Sequence, residues 1–221
     1  MHTAEAGRVD TIVGRLRAAY PDATCSLHFD TPLQLLVATI LSAQCTDERV
    51  NAVTPTLFRT YPTAEDFAAA PSAELEAAIK STGFYRNKAK HIQAAARLIA
   101  GQHGGQVPRT MDELISLPGV ARKTANVVMG NAYNIVEGVV VDTHVGRVSR
   151  RLGLTTSEDP VQVEADLMAA LPPAEWLDFS HRVIAHGRAV CQARRPLCPD
   201  CMLNDICPSS TVAVTTAVST Q

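Results

Sequence analysis

The lysine in Leu117-Pro118-Gly119-Val120-Ala121-Arg122-Lys123 stands where a cation is electrostatically disfavoured. The segment reads as a tight turn followed at once by a helical pattern, so Lys123 falls in the first helical turn, at the positive end of the dipole. A helix start, together with burial, favours the neutral amine, and a neutral amine is a nucleophile able to form a Schiff base with an aldehyde-like carbon. The same helix start offers backbone N–H groups to a phosphate, and Gly119 permits close backbone approach. A surface lysine beside an ordinary loop has the same signature, so the chemistry needs a second group. Asp142 is the candidate. It follows Val139-Val140-Val141 and precedes the helical pattern Thr143-His144-Val145-Gly146-Arg147. There a carboxylate is either a plain N-cap or a partly desolvated proton acceptor that steadies developing positive charge. His144 reads as a polar residue at the same helix start.

Cysteine marks a second centre. Cys25 and Cys45 stand alone, whereas Cys191-x6-Cys198-x2-Cys201-x5-Cys207 could surround one metal centre. Pro196, Pro199 and Pro208 make this segment a loop held by that centre rather than a helix. A structural zinc and an iron–sulfur cluster both fit four thiolates, and spacing alone favours zinc.

The elements that must position these residues are helical. Leu33, Leu36, Val37, Ile40 and Leu41 form one apolar stripe, and Ile92, Ala95, Ala96 and Ile99 another, as do Val163, Leu167, Ala170 and Leu171. Gly83, Gly104 and Gly153 read as helix stops. Thr110-x-x-Glu113 is a capping-box candidate for a short helix before the lysine turn. About ten short helices, with Val139-Val140-Val141 too short to build a sheet, predict an all-α fold. The tail from Ser209 to Gln221 lacks charge and periodicity and reads as disordered.

The chain has 221 residues and a formal charge of −2, so any site for a polyanion must be local. Charge is segregated accordingly. Lys80, Arg86, Lys88, Lys90, Arg97 and Arg109 fall in a stretch without acids, and so do Arg182, Arg188, Arg194 and Arg195. These stretches predict a phosphate-binding face, though charge runs are more often simply solvated. Neither a signal-peptide apolar block nor a membrane-length apolar run occurs, which predicts a cytoplasmic protein without membrane contact.

The hairpin Leu117–Val128, the segment Val139–Gly153, the four-cysteine spacing and Ile40-Leu41-Ser42-Ala43-Gln44-Cys45-Thr46-Asp47-Glu48-Arg49-Val50-Asn51 together resemble the endonuclease III family of helix-hairpin-helix DNA glycosylases. The resemblance runs from about Thr11 to Pro208. It implies a six-helix domain at residues 25–135 carrying the hairpin, and a second domain formed by residues 1–24 and 136–208. Duplex DNA would lie in the cleft between them, and the protein would act as a monomer, associated with the nucleoid if the source is bacterial. It also implies a 4Fe–4S cluster on Cys191, Cys198, Cys201 and Cys207, against the zinc that spacing favours.

By the same resemblance the enzyme acts in base excision repair on DNA holding damaged bases, chiefly oxidised pyrimidines, or abasic sites. Lys123 would attack the sugar C1′ of a flipped nucleotide, expel the base and break the strand by β-elimination, with Asp142 assisting. Gln44 would fill the vacated gap and Phe84 would wedge into the stack. Gly119, Val120, Ala121, Arg122, His144, Arg188, Arg194 and Arg195 complete the set expected at the DNA. Ala121 stands where a second glycine is usual, Phe84 where leucine is usual, and Cys45 beside Gln44 where a small residue is usual. If position 121 required a positive φ, alanine there would weaken the hairpin. Related adenine glycosylases without lyase activity carry a carboxylate in the helix matching Leu35–Gln44, where this chain has no acid. A catalytically weakened paralogue and a DNA-binding module with a structural metal are the other readings.

Overall fold

The computed structural model describes residues 3–212, and within them the chain is helical with no strand. It divides into two compact units, residues 25–137 and residues 1–24 with 138–221. The first unit contains α2 (Pro32–Ser42), α3 (Asp47–Thr60), α4 (Ala64–Ala69), α5 (Ser72–Ile79), α6 (Tyr85–Gln102), α7 (Met111–Ser116) and α8 (Arg122–Tyr133). A 3₁₀ turn, Lys80–Thr82, joins α5 to α6. The second contains α1 (Thr3–Ala19), α9 (Thr143–Arg151), α10 (Pro160–Ala170) and α11 (Trp176–Ala189).

Helix α2 organises the first unit. Thr31 caps it with Pro32 at its first position, and every residue from Leu35 to Leu41 is buried. A helix apolar on all sides belongs in a core, and α2 packs against α3, α6 and α8. Helix α6 instead buries one stripe, including Ile92, Ala95, Ala96 and Ile99, against α4 and α5. In the second unit Val9, Ile12 and Leu16 of α1 join Val145, Val148, Val163, Leu167, Phe179 and Val183 in one core.

The punctuation follows local chemistry. Gly83, Gly104 and Gly153 all have positive φ, at 71°, 57° and 67°. Thr110 accepts the Glu113 N–H and opens α7, but its hydroxyl donates to Glu113 Oε2 at 2.6 Å. The glutamate thus accepts a hydrogen bond from the cap's hydroxyl. Residues 209–212 of the predicted tail lie against the cysteine loop, where Ser210 N–H donates to Cys207 O at 3.0 Å. Residues 213–221 lie outside the described residues. No helix among the described residues is long and apolar enough to cross a membrane.

Candidate active site and cysteine centre

The hairpin is a β-turn closed by the Val120 N–H on Leu117 O at 3.1 Å, with Pro118 first and Gly119 second among its central residues. Gly119 has φ +81°, the value a type II turn requires at that place. Its backbone also presses on α6, since a Cβ there would come within 2.7 Å of His91 Cβ. Ala121 follows at φ −95°, ψ 169°, so it needs no left-handed conformation and the alanine carries no penalty of that kind. It is the N-cap of α8 and supplies no side-chain cap, which leaves the helix start to other acceptors.

Lys123 is the second residue of α8 and is exposed, as are Gly119, Ala121 and Arg122. Burial therefore plays no part in its placement here. Lys123 lies within electrostatic reach of Cys25, whose thiol is pushed up by burial against the opposing pull of the lysine charge. Val120 belongs to the core at 6% exposure, and its N–H is spent in the turn, so it offers no donor to a ligand.

Three exposed non-glycine residues of this unit have left-handed backbone; Asn134, at φ 55°, is the C-cap of α8, a place asparagine takes readily, and the other two are not helix C-caps. Gln44 has φ 54° and Phe84 has φ 46°, both left-handed. Phe84 is the most exposed large apolar side chain among the described residues, at 69%. Left-handed backbone at a non-glycine residue costs on the order of 1 kcal/mol, and such outliers gather where a side chain must be presented to a ligand. Cys45, next to Gln44, is half-buried.

In the other unit Asp142 is half-buried and caps α9, with Oδ1 accepting the Val145 N–H at 2.7 Å. His144 packs between α9 and α11. Its Nδ1 faces Arg147 Nη2 at 3.2 Å, and a Cβ on Gly187 would come within 3.0 Å of it. It is half-buried at this helix start.

The four thiols of Cys191, Cys198, Cys201 and Cys207 line one pocket, with Arg151, His186 and Leu197 beside them. Arg151 Nη1 donates to Cys191 Sγ at 3.3 Å and Gln192 O at 2.8 Å, and Nη2 donates to Ala193 O at 2.8 Å. Arg147 Nη2 adds a bond to Cys191 O at 3.1 Å. These two arginines of α9 therefore fix the Cys191–Ala193 start of the cysteine loop. Hydrogen bonds from Thr211 hold the Cys198 thiol down, while burial pushes Cys201 and Cys207 up. Among the described residues no three His, Cys, Asp or Glu side chains are grouped tightly enough to hold one metal ion. Four thiols around one pocket meet the ligand chemistry of a 4Fe–4S cluster and equally that of a four-thiolate zinc.

The charge runs are partly spent on structure. Arg182 is buried and paired with Glu175 and Asp178 at 2.8 and 2.7 Å. Lys88 is buried, Arg109 stacks over the Tyr133 ring at 4.9 Å, and Arg86 lies near Glu76 at 3.7 Å. Arg188, Arg194 and Arg195 are exposed. Sequence reasoning missed the roles of Arg147 and Arg151. Their spacing of four along a helix was visible, but their carbonyl acceptors lie some 40 residues further on.

The comparisons with known proteins agree with this picture. Residues 37–173 match the model of the HhH-GPD superfamily of base excision DNA repair proteins. The chain is 58% identical to endonuclease III of Synechocystis sp. over 92% of its own length and 93% of that protein's. It is 47% identical to endonuclease III of Bacillus subtilis, covering 90% and 91%. A solved structure of a trapped endonuclease III–DNA covalent intermediate matches with a TM-score of 0.88 at 44% identity, over 95% of this chain and 97% of that one. The structure of a thermostable thymine-DNA glycosylase shares the fold, at TM-score 0.82 and 23% identity, over 92% of this chain and 96% of that one. This chain therefore belongs to the endonuclease III family of HhH-GPD base excision repair proteins.

Proposed function

We propose that the chain is a bifunctional DNA glycosylase and abasic-site lyase that removes oxidised pyrimidines from duplex DNA. The observation that carries the reading is Lys123, an exposed primary amine one residue inside a helix that begins without a side-chain cap. The uncapped N–H groups behind Gly119 receive a backbone phosphate, which brings the sugar to the amine. In its neutral form, Lys123 Nζ attacks C1′ and the C1′–N bond to the base breaks, its electron pair leaving with the base. Opening of the sugar ring gives a Schiff base between Nζ and C1′. Loss of a proton from C2′ then expels the 3′ phosphate oxygen and cleaves the strand. Asp142 steadies the positive charge that develops on the sugar as the base departs.

Gln44 and Phe84, presented on strained backbone, support the reading that they occupy the stack while the nucleotide is flipped. Arg194 and Arg195 are exposed on the cysteine loop and meet phosphates without reading sequence. Cys191, Cys198, Cys201 and Cys207 hold a 4Fe–4S cluster. When bound, the cluster supplies a cross-link that fixes the loop. Incubation with a duplex containing thymine glycol tests the assignment. The expected product is a strand broken 3′ to the lesion with an unsaturated aldehyde terminus. Base release that leaves an intact abasic strand would assign a glycosylase without lyase activity.

A further inference from the structure

Lys88 is a buried cation that the proposed chemistry does not use. Its side chain is 4% exposed, and Nζ donates to Leu41 O and to Thr82 O, each at 2.7 Å. Leu41 lies in the last turn of α2, which runs through its C-cap Ala43 into Gln44. Thr82 ends the 3₁₀ turn that runs through Gly83, φ 71°, into Phe84. Lys88 also holds Phe84 through its backbone, its N–H donating to Phe84 O at 3.1 Å. The ammonium thus sits where two helical segments end, on carbonyls that carry the negative ends of their dipoles. Burial lowers the affinity of this amine for its proton, and Cys45, beside Gln44, opposes that shift. An apolar side chain would fill the space without the cost of desolvating a charge, so the two bonds must accomplish something packing would not. What they join is the backbone behind the two left-handed residues Gln44 and Phe84.

The geometry points to Lys88 as a positioning residue that clasps the Gln44 loop to the Phe84 loop and fixes the spacing at which both side chains enter the duplex. This inference rests on reading Gln44 and Phe84 as the gap-filling and wedging residues. Without the clasp, each loop relaxes its strained residue independently and the two insertions lose their common frame.

A mutant cycle tests it. Single-turnover base release and 2-aminopurine fluorescence, with the probe next to the lesion, are measured for wild type, Lys88→Met, Gln44→Ala with Phe84→Ala, and the combination. Lys88→Met is expected to slow base release in the wild-type background by about ten- to a hundredfold and to reduce the fluorescence rise, as loss of alignment does. In the background lacking Gln44 and Phe84 it should cost about twofold or less, because the side chains it aligns are gone. An equal loss in both backgrounds, or none in either, overturns the clasp. If the Gln44 and Phe84 substitutions leave the fluorescence rise intact, the wedge reading fails and the clasp fails with it. Should Lys88→Met not fold, Lys88→Gln, which keeps one donor group, carries the same cycle.

Discussion

Asp142 Oδ1 accepts the Val145 N–H at 2.7 Å, so the carboxylate assigned to charge stabilisation is also the N-cap of α9. The two roles separate under substitution. Asparagine caps about as well as aspartate, so Asp142→Asn should change stability by only a few tenths of a kcal/mol. It removes the charge, and base release should fall by roughly a hundred- to a thousandfold. Asp142→Ala should show the same catalytic loss and a further destabilisation of about 1 kcal/mol from the lost cap. Thermal melting alongside single-turnover kinetics distinguishes these. A fully active Asp142→Asn would leave Asp142 a cap and nothing more.

The hairpin makes two opposite predictions for neighbouring residues. Gly119→Ala meets His91 Cβ at 2.7 Å and must hold φ +81°, which should cost at least about 1–2 kcal/mol and weaken duplex binding. Ala121→Gly should be neutral or slightly stabilising, because position 121 is an extended N-cap at φ −95° and glycine caps better than alanine. Melting temperatures and a DNA titration at fixed salt check both. A strong gain in DNA affinity from Ala121→Gly would contradict the geometry.

Loss of the cysteine centre should be felt locally. Residues 191–207 hold little regular structure beyond the Cys198–Asp200 turn, and Arg147 and Arg151 tie chiefly the Cys191–Ala193 end. Purified protein should be brown and contain about four irons per chain. Removing the iron should open the loop to proteolysis. Iron analysis and limited digestion before and after chelation test this, and a colourless zinc protein would refute the cluster assignment.

The second unit carries a pH-dependent stability. Burial lowers the pKa of His181 from 6.5, with Asp178 opposing and Arg182 reinforcing the shift. The unfolded chain then binds more protons than the folded one in the window below 6.5. Stability from this residue is complete above that value and is lost as pH falls through it toward the lowered folded value. His181→Gln should flatten the wild-type decline in melting temperature between neutral pH and about pH 5. An unchanged slope would show that His181 titrates equally in the folded and unfolded states.

How far the sequence carried depended on the range of the interaction. Helices and stops are local, and the stripe Ile92, Ala95, Ala96 and Ile99 and the breaks at Gly83, Gly104 and Gly153 were legible from periodicity and turn chemistry. The lysine was legible because its conflict with the helix dipole is also local. Whether position 121 needs a positive φ depends on the turn type, and the structure puts the positive φ of this turn at Gly119, with Ala121 extended. Charge runs misled where partners were remote or unexpected. Arg182 is neutralised by Glu175 and Asp178, and Lys88 by backbone carbonyls of two other elements. Four cysteines specify a centre but not its metal: spacing favours zinc, and the 4Fe–4S assignment comes from the family resemblance rather than from the spacing.

The measurement that bears most directly on the account is borohydride trapping on thymine-glycol duplex DNA, with wild type compared to Lys123→Ala. Wild type should give a covalent protein–DNA adduct, because reduction locks the Schiff base between Nζ and C1′. Lys123→Ala should give none while still binding the duplex. An adduct of equal yield from Lys123→Ala would mean that another amine is the nucleophile and would contradict the assignment of the α8 start as the active site.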